Sequence, residues 1–148
     1  MTMKKLYIYI IGIGLLLTAC TMEGSDNGDL DGLWQLSYID TLATGGTTDM
    51  RQSQITWAVQ GAILETRLAT SLNVANDIVF HFRHTHDSLL LQSPYVSDRH
   101  HGDLKVEDIS QLRQFGINRL EEGFKVLELT DDKMTLQSDV LRLWFTKY

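Results

Sequence analysis

Cysteine and proline are almost missing from this chain: 148 residues contain Cys20 and Pro94 and no others of either type. A lone cysteine rules out an intrachain disulfide, so the folded part is held by packing alone. A single proline leaves long stretches free to pair as β-strands without a break in the ladder. Positive charge is also in short supply. Thirteen lysines and arginines face nineteen acids, which argues against nucleic acid as a partner. Apolar runs are scarce as well, and the one long example is confined to the first twenty residues.

That run is Leu6 to Leu17, 12 residues of Leu, Ile, Tyr and Gly preceded by Lys4 and Lys5. A charged start and an apolar stretch of roughly 7–15 residues are the parts of an export signal. Crossing a bilayer takes about 20 apolar residues, so the run is too short to be a membrane span. It ends in Leu17-Thr18-Ala19-Cys20, which resembles a bacterial lipobox. The resemblance implies cleavage before Cys20 and acylation of that residue, so residues 1–19 are expected to be a lipoprotein signal peptide. Loss of Lys4 and Lys5 with the leader gives 11 bases against 19 acids, a mature charge of −8. Membrane attachment would then come from acyl chains, two or more of which anchor stably. Residues 20–29 are polar, acidic and Gly-containing, the composition of a flexible tether. Placement in the outer membrane, facing the periplasm or the cell surface, follows as an expectation.

Residues 30–148 are enough for one domain with one core. Period-2 alternation recurs from Gly32-Leu33-Trp34 onward, with polar turns between the runs. The expected strands are 33–40, 53–60, 62–70, 77–84, 88–92, 124–129, 133–138 and 140–147. Val106, Ile109, Leu112 and Phe115 recur at three-residue spacing, the apolar stripe of a short helix that Gly116 can end. The expected fold is all-β: an eight-stranded antiparallel meander closed as a barrel, with this helix between strands five and six. Closure is the physical requirement, because eight open strands leave two edges to aggregate.

The Gly32-Leu33-Trp34 start, the long Thr41–Gln52 loop, the meander and an arginine on the last strand together resemble the lipocalin or calycin family. The nearest likeness is to lipocalin-like lipoproteins of Gram-negative bacteria. The resemblance implies that Gly32 and Trp34 close one end of the barrel and that Arg142 packs over the tryptophan. It also implies a small apolar or amphiphilic ligand. Trp57, Phe80 and Phe82 are expected to line the interior, with Tyr38 and His84 (and Thr66) as its polar groups. The alternative is a filled barrel that acts as an envelope interaction module through the loops Thr41–Gln52 and Ser93–Asp103.

Catalytic patterns are missing. The chain has no Gly-x-Ser-x-Gly elbow, phosphate-binding glycine loop or His-Glu-x-x-His helix. The pairs Glu107-Asp108, Glu121-Glu122 and Asp131-Asp132 read as caps and turns. His84, His86, His100 and His101 offer one remote route to metal chemistry, since neutral imidazoles suit zinc. Ordinary solvated or hydrogen-bonded histidines explain the same residues better. No enzyme and no cofactor are expected.

Overall fold

The computed structural model describes residues 25–69, 77–98 and 101–148. The leader, Cys20, most of the tether, Thr70 and His100 lie outside the described residues.

Ten strands form one antiparallel sheet: β1 (Gly32–Thr41), β2 (Gly46–Asp49), β3 (Ile55–Gln60), β4 (Ile63–Leu68), β5 (Ile78–His84), β6 (Ser88–Val96), β7 (Leu104–Lys105), β8 (Glu122–Leu129), β9 (Lys133–Gln137) and β10 (Leu141–Lys147). Eight of them run β10-β9-β8-β6-β5-β4-β3-β1, and β10 pairs back onto β1. The barrel is therefore closed. β2 and β7 are short flaps on β1 and β6. The sequence gives no sign of β2 because all four of its residues are exposed, which removes the alternation that marks a strand.

Chain direction sorts the connections between two ends. The entry end carries a 3-10 turn (Gly28–Leu30), the turn at Gly61, the Thr85–Asp87 turn and the Thr130–Asp132 turn. The far end carries the 42–54 loop, the 106–121 segment and the turn between β9 and β10. Bulges break the strict alternation at three places. One falls at Ser37, and it changes which side chains of β1 point inward. Trp34 and Leu36 are fully buried, but beyond the bulge Ile39 packs against the core and Tyr38 pairs with the half-exposed Trp144.

One apolar cluster occupies the interior. Trp57 lies at its centre, its ring 4.8 Å from that of Phe145 and 5.9 Å from that of Phe124. The expected helix is shorter than its stripe, with regular helix (α1) only over Ser110–Arg113. Tertiary burial fixes the rest of the segment, a term that outweighs local helix propensity in so short a piece. Val106, Leu112, Phe115 and Ile117 all belong to the barrel's own cluster. The segment leaves β6 through a Val106 N–H to Pro94 carbonyl bond of 2.9 Å. It meets β10 where Gly116 lies against Leu143 and where Arg119 pairs with Asp139 at 2.7 Å. The far end is thus covered by apolar side chains.

Gly116 is the tightest point of that cover. Its φ is +82°, and a Cβ there would come within 2.7 Å of Leu143 Cδ2. Gly116→Ala should therefore lower stability by about 1–3 kcal/mol through overpacking and backbone strain. The denaturation midpoint measures this, and a smaller residue at Leu143 should restore part of the loss.

Candidate functional site

Closure at the entry end is built from few residues. Trp34 Nε1–H donates to the Leu30 carbonyl at 2.8 Å, which fastens the 3-10 turn across the barrel mouth. Lys147 places Nζ 4.6 Å from the centroid of the Trp34 ring and donates to the Asp29 carbonyl at 2.7 Å. Gly32 has φ +127°, and a Cβ there would sit 3.2 Å from the Lys147 stem. Gly32 and Trp34 stand at this end, and the cation over the tryptophan is Lys147 and not Arg142. Antiparallel pairing explains the correction. The first residues of β1 must face the last residues of β10, and the register sets Trp34 opposite Lys147 and Asp40 opposite Arg142. Arg142 instead donates to Gln137 Oε1 at 2.8 and 3.1 Å, near the far end.

The five expected ligand-binding residues do not converge. Phe80 and Trp57 are fully buried, and Phe82 packs against the same cluster. Tyr38 is on the outer surface, its ring 5.1 Å beneath the Arg51 guanidinium, because the Ser37 bulge turned it out. Thr66 is buried and its hydroxyl donates to the Ile78 carbonyl at 3.3 Å. His84 ends β5 at the entry end. Trp57 Nε1 and His84 Nε2 are both buried without a hydrogen-bond partner among the described residues, as is Asn118 Nδ2. Such groups are uncommon in folded proteins and point to where a partner is wanted.

His84 lines a half-open cleft of about 440 Å³ at the entry end, together with His86, Asn27–Asp29 and Val126–Leu129. Burial holds its imidazole below the ordinary histidine value, and His86 adds to the effect. The described members of the proposed histidine grouping do not come together, and His100 lies outside the described residues. His84 and His86 flank the turn after β5, whereas His101 follows β6 at the opposite end, its ring nitrogen 2.9 Å from Asp98. Among the described residues no three His, Cys, Asp or Glu side chains come together.

One buried acid escaped the sequence reading. Glu122 is 2 % exposed, and its Oε2 accepts from the Asn118 N–H at 2.7 Å. It pins the end of the segment that covers the far mouth. Its neighbour Glu121 is exposed, so the pair looked like any solvated acidic dipeptide.

The model of the lipocalin-like domain family matches residues 15–148. The chain belongs to that family. A lipocalin-like protein from Bacteroides uniformis superposes with a TM-score of 0.60 at 17% identity, covering 82% of this chain and all of that one. An uncharacterized protein from Bacteroides eggerthii superposes with a TM-score of 0.55 at 19% identity, covering 80% of this chain and 98% of that one. No curated protein matches the sequence. At such identities the likeness carries the fold. Within this lipocalin-like domain no described helix is long and apolar enough to cross a membrane.

The lowered His84 value sets a pH dependence with a definite sign. Between its folded value and the ordinary one near 6.5, the unfolded chain binds more protons than the folded one. Stability therefore rises with pH through that window and falls on acidification. Thermal melts from about pH 7.5 down to about pH 5 should show the fall, and His84→Gln should flatten it.

Proposed function

We propose that this lipocalin-like domain is a lipid-anchored, extracytoplasmic binding module for a small apolar or amphiphilic molecule, taken into the barrel interior beneath the 106–117 segment. The observation that carries the proposal is Trp57. Its indole is fully buried in an apolar cluster, and its N–H has no acceptor among the described residues. Leaving such a donor unpaired costs about 1–3 kcal/mol. A ligand with one acceptor and an apolar body would satisfy it. Entry requires the covering segment to move, and that segment holds only four helical residues and an exposed Arg119–Asp139 pair at its outer rim.

A second reading rests on the packing. The Trp57 ring lies directly against Phe145 and Phe124, and Leu112, Phe115 and Ile117 cover the far end. Under that reading the barrel is filled, and the 42–54 loop with its β2 flap carries an envelope interaction.

N-phenyl-1-naphthylamine separates the two. Interior binding should enhance the probe's emission, quench tryptophan fluorescence and raise the melting temperature, with about 2.7 kcal/mol of stabilisation at a hundredfold excess over Kd. Trp57→Phe should weaken binding and Tyr38→Ala should leave it alone. No enhancement and no change in melting temperature would favour the filled barrel. The anchor is tested apart: Cys20→Ser should move the protein from membranes to the soluble fraction, or leave its leader uncut. A fully matured variant still on the membrane would overturn the lipobox assignment.

A further inference from the structure

We propose, resting on interior binding, that the ligand's polar end is cationic: an apolar molecule with an ammonium group for Glu122 and an oxygen acceptor for Trp57. Glu122 is the one charged side chain among the buried residues described. Register fixes its direction. Glu122 stands opposite Leu91 and Phe124 opposite Leu89, while on the other side of β6 Phe82 stands opposite Leu91. Cross-strand partners share a face, so Phe82, Leu91 and Glu122 make one row on the inner wall. Leu91 and Phe124 belong to the core cluster, whereas Gly123 between Glu122 and Phe124 is exposed. Phe124 lies about 7 Å along β8 from Glu122, at roughly 3.3 Å per residue. Its ring is 5.9 Å from that of Trp57. The carboxylate and the unpartnered indole thus have Phe124 as a common neighbour.

The carboxylate is only half used. Oε2 accepts from the Asn118 N–H at 2.7 Å, a length usual for an ionised acceptor. Oε1 has no hydrogen-bond partner among the described residues. No described lysine, arginine or histidine forms an ion pair with Glu122. Lys147 is committed to Trp34 and the Asp29 carbonyl at the entry end, and Arg119 to Asp139 at the outer rim. A buried charge without a counter-ion is costly, and a cation brought beside it offsets that cost. An anionic head would instead meet a like charge where screening is weak. Holding the Asn118 N–H requires an acceptor but no charge, so a purely structural role would be filled equally well by glutamine. Trp57 Nε1 and Asn118 Nδ2 are buried donors without partners, which is why the ligand carries an oxygen as well as the ammonium.

The test displaces N-phenyl-1-naphthylamine from the mature chain, made without its leader and therefore without acyl chains. The competitors share an octyl ester and differ in head charge. The octyl ester of β-alanine carries an ammonium at about pH 7, octyl propanoate carries no charge, and monooctyl succinate carries a carboxylate. The ammonium ester should displace the probe at a concentration at least about tenfold below that of the succinate, with the neutral ester between them. Glu122→Gln should abolish most of that preference. Glu121→Gln removes the same charge from an exposed neighbour and should leave the preference intact. Equal displacement by the two charged esters, preference for the succinate, or equal loss of preference in both variants overturns the proposal. Displacement from the unaltered chain is decisive even where Glu122→Gln does not fold. A chain that binds no probe at all has lost interior binding and the cationic ligand together; a chain that binds the probe but ranks the charged esters equally has lost only the latter.

Discussion

The pairing of β1 with β10 is the constraint on which the rest of this molecule depends. Eight antiparallel strands without a disulfide must hide two edges, and joining first to last removes both at once. The join is reinforced at its entry end, where Trp34 stands opposite Trp57 on one neighbour and Lys147 on the other. The indole is fully buried, its N–H is bonded to Leu30, and the Lys147 stem fills the space beside Gly32. Apolar burial, a neutral hydrogen bond and a cation over a ring act on one side chain. Truncating such a residue removes all three, which is why a tryptophan and not a leucine suits the position.

Closure also decides what the two ends become. At the far end the chain must cross from β6 to β8, and it does so by laying Leu112, Phe115 and Ile117 over the mouth. Gly116 is required there because Leu143 leaves no room for a Cβ. At the entry end the turns are short, and β8 overruns β6 by several residues. That overrun, roofed by the 3-10 turn, makes the cleft. One end is thus covered by apolar side chains, while the other is closed by the 3-10 turn and Trp34 with a cleft beside them.

Much of this was legible in the sequence. All eight barrel strands, their antiparallel order, closure and the helical segment between the fifth and sixth follow from alternation and turn residues. Trp34, Trp57 and Phe80 were legible as core because burial of a large ring on an alternating strand leaves few other options. The errors have one kind of origin, which is register. Period-2 reading assumes an unbroken ladder, so the Ser37 bulge turned Tyr38 from a presumed interior residue into a surface one under Arg51. Assigning the closing cation to Arg142 ignored the antiparallel offset that brings Lys147 to Trp34. The buried role of Glu122 was invisible, since nothing distinguishes a buried acid from its exposed neighbour until the partner, the Asn118 N–H, is known.

The histidines show why composition alone misleads in a meander. Four of the five fall between positions 84 and 101, close enough in sequence to suggest one cluster. β6 runs the whole length of the barrel between them, nine residues from Ser88 to Val96, or about 30 Å at 3.3 Å per residue. Residues separated by one strand of a meander stand at opposite ends, and those separated by two return to the same end. His84 and His86 therefore meet the 3-10 turn and the end of β8, far away in sequence, and not His101. In a closed antiparallel barrel, side chains share a site when they flank connections on the same end. The cleft at the entry end is accordingly lined from three parts of the chain, Asn27–Asp29, His84 with His86, and Val126–Leu129.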